Sequence, residues 1–119
     1  MIGHALYERY LQRCNEYRFD ELGEFVAEDV EINGAPSGLG RYGAGLRSVV
    51  DTYADFHWEL HKLLVDGDWL SAHLIDTFTT VDGRPAVLQE FALYRLSADR
   101  IVQVWGDLDQ DRLLNCSRS

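Results

Sequence analysis

Apolar side chains at Leu6, Tyr7, Tyr10, Leu11, Cys14 and Tyr17 recur at three- and four-residue spacing, with Glu8, Arg9, Gln12, Arg13, Asn15 and Glu16 on the opposite side. That period predicts an amphipathic helix of about four turns. Asp20 is a candidate N-cap for a short second helix running through Val26 and Ala27, with Leu22, Phe25 and Val26 as its apolar side. Val30 to Asn33 alternates and predicts a short strand, and Gly34, Pro36, Gly38 and Gly40 predict a loop after it. Leu46, Val49, Val50 and Tyr53 fall at i, i+3, i+4 and i+7 and predict a third helix.

At His57 the apolar period changes from helical to alternating. Strands are predicted from His57 to Val65, from Trp69 to Thr80, from Ala86 to Leu96, and from Ile101 to about Asp109. Asp66-Gly67, Asp82-Gly83 and Ser97-Ala98-Asp99 are the turns between them. Helices first and an antiparallel meander afterwards give an α+β domain whose helices cover one sheet face. A strongly bent sheet would wrap the helices and enclose a pocket.

Composition narrows the function classes. A chain of 119 residues that is 46% hydrophobic supplies one core, so residues 1–119 are expected to form a single domain. Acidic residues outnumber basic ones 20 to 11, for a formal net charge of −9, which excludes a phosphate-neutralising nucleic-acid surface and disfavours anionic membranes. No apolar run approaches a membrane span. Cys14 and Cys116 form no C-x-x-C pair and suit a reducing, cytoplasmic setting.

The candidate chemistry lies in polar residues on strand faces. Leu70, Ala72, Leu74, Asp76 and Phe78 share the more apolar face of their strand, which points Asp76 inward. A buried carboxylate must be paired, hydrogen-bonded or protonated, so Asp76 is either a pocket group or the cap of a strand irregularity. On the next strand Leu88, Glu90, Ala92 and Tyr94 share a face. If that face is inward, Glu90 is a second pocket carboxylate with the Tyr94 hydroxyl near it; otherwise Glu90 pairs across the solvent face. Gln103, Trp105, Asp107 and Asp109 share a face of the last strand, where two aspartates beside a tryptophan are unusual. Asn33, beside the Gly/Pro loop, would make an Asx-turn or orient a water or carbonyl at a pocket mouth. Tyr10 lies on the apolar stripe of the first helix, as a packing residue or a donor to an oxyanion.

Other chemistries lack their patterns. His4, His57, His61 and His73 form no carboxylate-flanked helical pair, so no metal site is expected. The glycines between 34 and 45 lack phosphate-loop spacing, and Ser48 and Ser71 sit in no nucleophile elbow. Cys14, on the apolar stripe, reads as core. No cofactor is expected.

Three strings carry a family resemblance: Glu24-Phe25-Val26-Ala27-Glu28-Asp29-Val30-Glu31-Ile32-Asn33, then Asp66-Gly67-Asp68-Trp69, then Phe91-Ala92-Leu93-Tyr94-Arg95-Leu96 leading to Arg100-Ile101-Val102-Gln103-Val104-Trp105. In this order, across nearly the whole chain, they resemble the SnoaL-like polyketide cyclase group of the nuclear-transport-factor-two-like superfamily. The resemblance implies a cone-shaped fold and cofactor-independent acid/base catalysis on a polyketide- or terpenoid-like substrate in an apolar pocket. It implies that Asp107 or Asp109 is the general acid/base. The layout is also similar to limonene epoxide hydrolases, matching at Asn33, Asp76 and Asp107, with Leu74 where those enzymes place an arginine. Ketosteroid isomerases are similar in a tyrosine near Tyr10, while Asn33 and Ala92 stand where their carboxylates would fall.

These readings combine into one expectation. Asp107, Asp76, Asn33 and Asp109 form the catalytic group, and Tyr10, Glu90, Tyr94 and Trp105 the substrate-binding group, of a cyclase, isomerase or hydrolase type of enzyme. A non-catalytic ligand-binding or dimerisation module of the same fold is the alternative. Apolar residues on both strand parities, among them Trp58, Leu60, Leu64, Trp69 and Phe91, imply a second covered sheet face and hence a homodimer.

Overall fold

The computed structural model describes residues 2–106 and Leu113. Helix α1 spans Ile2–Asn15 and is followed by a 3-10 helix, Phe19–Glu24. Strands β1 (Val26–Ile32) and β2 (Ala35–Pro36) form a small hairpin, α2 spans Leu39–Thr52, and β3 (His57–Asp66), β4 (Trp69–Thr79), β5 (Pro85–Ser97) and β6 (Arg100–Gly106) form the meander. The α+β order expected from the sequence is the order observed. The six strands lie in one curled, unclosed sheet in the order β2-β1-β6-β5-β4-β3. Register shifts between Leu60 and Lys62, and between Arg95 and Leu96, mark irregularities of the kind that bend a sheet. None of the described helices is long and apolar enough to cross a membrane.

Two sequence expectations need correction. Val26 and Ala27 belong to β1, not to a second helix. Val26 pairs with Ile101 in a parallel ladder, and the Ile101 N–H donates to the Phe25 carbonyl at 2.8 Å, so a partner some 75 residues away overrides the local helical spacing. The β1–β6 pair is parallel, whereas all other strand pairs are antiparallel. The loop expected after Asn33 is a two-residue hairpin. Asn33 and Gly34 both have positive φ, 52° and 83°, which an Asn-Gly pair adopts at little cost. Pro36 is tolerated because β2 is the sheet edge.

The core lies between the concave sheet face and the helices. Tyr7, Leu22, Leu70, Leu74 and Ile101 are among its fully buried side chains. Trp58, expected to contribute to a second covered sheet face in a homodimer, belongs instead to this core. Asn15 fixes it there: its amide donates to the Trp58 carbonyl and its carbonyl oxygen accepts from the Trp58 N–H, both at 2.8 Å. The end of α1 is thereby clamped to β3.

Helix α2 contains three glycines, Gly40, Gly43 and Gly45, and forms against their low helix propensity. Only Gly43 is required by packing, because a Cβ there would stand 3.2 Å from the Phe19 carbonyl oxygen of the 3-10 helix. At Gly40 and Gly45 a Cβ meets nothing within 4 Å. Gly40→Ala and Gly45→Ala are each expected to stabilise the protein by about 0.5–1 kcal/mol in urea melts. Gly43→Ala is expected to destabilise it by about 1–3 kcal/mol, because rigid backbone must move.

Candidate active site

A cavity of about 540 Å³ opens between the helices and the concave face. Helix α1 contributes Tyr7, Tyr10, Leu11 and Cys14, the apolar stripe of its sequence. Helix α2 contributes Arg41, Tyr42, Gly45, Leu46 and Val49, again one helical face. The sheet supplies Trp58 from β3, Leu74 from β4, Glu90, Ala92 and Tyr94 from β5, and Val104 and Gly106 from β6. The hairpin residues Ile32, Asn33 and Pro36 complete the rim with Ser37, and Leu113 is buried against the lining.

Four tyrosines dominate the polar part of this wall. The Tyr7 and Tyr94 hydroxyls are 3.1 Å apart, and Tyr10 and Tyr42 are hydrogen-bonded through their hydroxyls. The rings interlock, with centroids 5.0 Å apart for Tyr7–Tyr94 and 5.6 Å for Tyr7–Tyr10. Burial pushes all four phenols above their ordinary range. They are therefore neutral donors at physiological pH. In each pair one O–H serves its neighbour; the second proton of the Tyr7–Tyr94 pair is open, and that of the Tyr10–Tyr42 pair is open when Tyr10 donates to Tyr42 and not to Cys14. Burial also pushes the Cys14 thiol up to about 12, although a hydrogen bond from Tyr10 works against the shift. Cys14 is thus a neutral lining group and not a nucleophile.

Glu90 is the one carboxylate of the lining among the described residues, and it is buried. Its position on β5 pairs it with Leu74 of β4 and sets it two residues from Ala92 and four from Tyr94 on one face. Its charge bears on Tyr7, Tyr94, Tyr42 and Cys14. One carboxylate facing neutral phenols can take a proton from carbon while the phenols receive the charge that develops on oxygen.

The other expected site residues divide. Tyr10, Tyr94, Glu90 and Asn33 come together on the cavity. The Asn33 side chain already has a structural task, because its Oδ1 accepts the Gly106 N–H at 2.9 Å and ties the hairpin to β6. Asp76 is fully buried, as strand parity implied, but does not line the cavity. It pairs with Trp58 on one side and Leu88 on the other, one step along the sheet from Glu90. Trp105 is also absent from the lining; Val104 and Gly106 face the cavity, and the Trp105 ring packs against Gly34 instead. Asp107 and Asp109 lie outside the described residues. Sequence reading missed Arg41 and Tyr42, which the glycines of α2 conceal. It assigned Tyr7 and Cys14 to packing alone, although their i, i+3 and i+7 relation to Tyr10 puts all three on one face. Among the described residues, no three of His, Cys, Asp and Glu converge as a metal site.

A family model described as a SnoaL-like domain matches residues 7–104. A SnoaL-like polyketide cyclase from Agrobacterium tumefaciens is 32% identical, with 92% of this chain and 93% of that one covered and a TM-score of 0.83. IdmH, a putative polyketide cyclase from Streptomyces antibioticus, is 16% identical over 98% of both chains, with a TM-score of 0.85. An NTF2-like protein of unknown function from Burkholderia pseudomallei is 15% identical over 100% of this chain and 99% of that one, at 0.84. The last two likenesses concern the fold alone. Comparison with curated proteins gives no match.

Proposed function

The chain belongs to the SnoaL-like domain family, and on that premise we propose that it is a cofactor-independent acid/base enzyme of the cyclase, isomerase or hydrolase type. Its substrate is a small, largely apolar carbonyl compound of polyketide or terpenoid character. The observation that carries this reading is the buried Glu90, whose charge bears on Tyr7, Tyr42 and Tyr94, in a cavity of about 540 Å³ that these tyrosines and Tyr10 line. Apolar walls at Leu46, Val49, Trp58 and Leu74 hold the body of the substrate. Glu90 takes a proton from a carbon beside the carbonyl, and the unengaged phenol protons stabilise the enolate oxygen. The enolate can then close a ring or be reprotonated elsewhere. The resemblance assigns the acid/base role to Asp107 or Asp109; either could return the proton.

The test is deuterium exchange into 2-tetralone, a carbonyl probe that fits the cavity, followed by NMR in deuterated buffer. The chain is expected to accelerate exchange at the acidic carbon well above the buffer rate. Binding without acceleration would replace this reading with a ligand-binding module. Absence of both would end it.

The assembly belongs to the same proposal. The convex sheet face carries Leu64, Val87 and Phe91, which are 71%, 67% and 54% exposed, with Leu93 beside them. Phe91 and Leu93 are same-face neighbours, with Ser71 between Leu93 and Leu64 and Gln89 between Phe91 and Val87, so the face is apolar with small or neutral polar side chains interspersed. A homodimer packed through it is expected, with a light-scattering mass twice the 13.6 kDa of the chain. Leu64→Glu combined with Phe91→Glu is expected to yield the monomer, and a monomeric parent would contradict the proposal.

A further inference from the structure

We propose that the cavity takes a substrate bearing an anionic oxygen group, such as a carboxylate, and that Arg41 at the rim recognises it. The inference rests on the ligand-binding reading above and adds the class of substrate.

The other arginines among the described residues are engaged within the fold. Among the described residues, Arg9, Arg13, Arg18 and Arg84 pair with carboxylates. Arg47 and Arg100 donate to the backbone carbonyls of Tyr17 and Gly23, and Arg95 lies over the Trp69 ring. Arg41 makes no hydrogen bond, ion pair or ring contact with any of them. Among the described residues it has no partner, and it is exposed, in a chain with 20 acidic residues for 11 basic ones.

Helix stability does not account for it. Arg41 falls in the first turn of α2, where the helix dipole disfavours a cation, and that turn contains no acidic side chain to offset the charge. Its position does suit the cavity. Arg41, Gly45 and Val49 repeat at four-residue intervals along the lining face of α2. Gly45 leaves open space one turn further on, since a Cβ there meets nothing within 4 Å. A guanidinium presents a planar fork that matches two oxygens, a geometry a surface lysine lacks.

The charges of the site then fix the orientation of the substrate. Arg41 is exposed at the rim, whereas Glu90, Tyr7 and Tyr94 are buried. An anionic end is attracted to the rim and repelled by a Glu90 carboxylate, so the neutral, reacting carbonyl is directed inward to the phenols. Arg41 is a binding and orienting residue in this scheme and takes no part in proton transfer.

The experiment compares 2-naphthoate with its neutral isostere 2-naphthamide, titrated into the full chain by calorimetry at low salt. Naphthoate is expected to bind about fivefold tighter, the scale of one partly exposed ion pair. Arg41→Gln is expected to abolish or reverse that preference while the naphthamide affinity stays the same, and Arg41→Lys to restore part of it. Added salt is expected to reduce the preference of the parent chain. Equal affinities in the parent, or equal weakening of both probes in Arg41→Gln, would overturn the inference while leaving the apolar cavity reading intact. Failure of both probes to bind would overturn the two together.

Discussion

Glu90→Gln is expected to lower enzyme-catalysed exchange into 2-tetralone by about 10²–10⁴-fold, the usual contribution of a positioned general base. Glutamine keeps the shape and the hydrogen-bonding reach of the side chain and removes only the basic oxygen. The register on β5 and the neighbours Leu74, Ala92 and Tyr94 are therefore retained. The loss corresponds to about 3–5 kcal/mol of transition-state stabilisation. Tyr94→Phe should cost less, because Tyr7 and the Tyr10–Tyr42 pair still offer hydroxyls to the oxyanion. Urea melts separate chemistry from folding: Glu90→Gln is expected to melt within about 1 kcal/mol of the parent, since a neutral amide is cheaper to bury than a carboxylate. Exchange at the parental rate in Glu90→Gln would transfer the base to Asp107 or Asp109, and Asp107→Asn assayed in parallel would decide between them.

The sequence made the layers legible because they rest on strong local signals. The stripe from Leu6 to Cys14 buries as a helix must, while Tyr17 falls past the end of α1 with φ 61°; the alternation from Trp69 to Thr79 matches the burial of β4 residue for residue. The facing of β5 was a different matter. Alternation shows that Leu88, Glu90, Ala92 and Tyr94 share a face of β5 without showing which side is inward. Only pairing across to Leu74 and Val104 decides that, and pairing partners are far away in sequence.

The same non-locality explains Val26, whose helical spacing gives way to the parallel ladder with Ile101. It also explains Trp105, whose face follows once Val104 and Gly106 are turned to the cavity. The hairpin at Asn33-Gly34 was legible in principle, since that dipeptide is a strong turn signal, but the following Pro36 and Gly38 obscured it. Arg41 and Tyr42 were hidden for a physical reason. Three glycines weaken the local case for a helix, and it is the close approach of Gly43 to Phe19 that makes α2 hold there. The site thus depends on contacts between α1, α2 and β5 that no single segment encodes.

The buried phenols and thiol make this fold sensitive to alkali. In the unfolded chain a cysteine loses its proton near about 8.5 and tyrosines near about 10. In the folded chain burial holds the Cys14 thiol up to about 12 and keeps Tyr7, Tyr10, Tyr42 and Tyr94 above their ordinary range. Above those unfolded values the native state therefore binds more protons than the unfolded state. The stabilising contribution is fully present below the unfolded pKa and is lost as pH rises through the folded one. Retention of the Cys14 proton up to about 12 is by itself on the order of a few kcal/mol, a sizeable share of a typical domain's stability of about 5–15 kcal/mol. The tyrosines add to it in the same direction. Urea midpoints are expected to be flat between about pH 6 and pH 8 and to fall steeply above about pH 9, with cooperative unfolding before pH 12. Phenolate absorbance should appear together with that unfolding and not ahead of it. Cys14→Ala, which removes one of the titrating groups, should flatten the alkaline slope. Phenolate absorbance rising in a folded Tyr17→Phe chain, from which the partly exposed tyrosine outside the cavity has been removed, would mean that water reaches the cavity tyrosine hydroxyls, and the oxyanion-stabilising role given to them would fail.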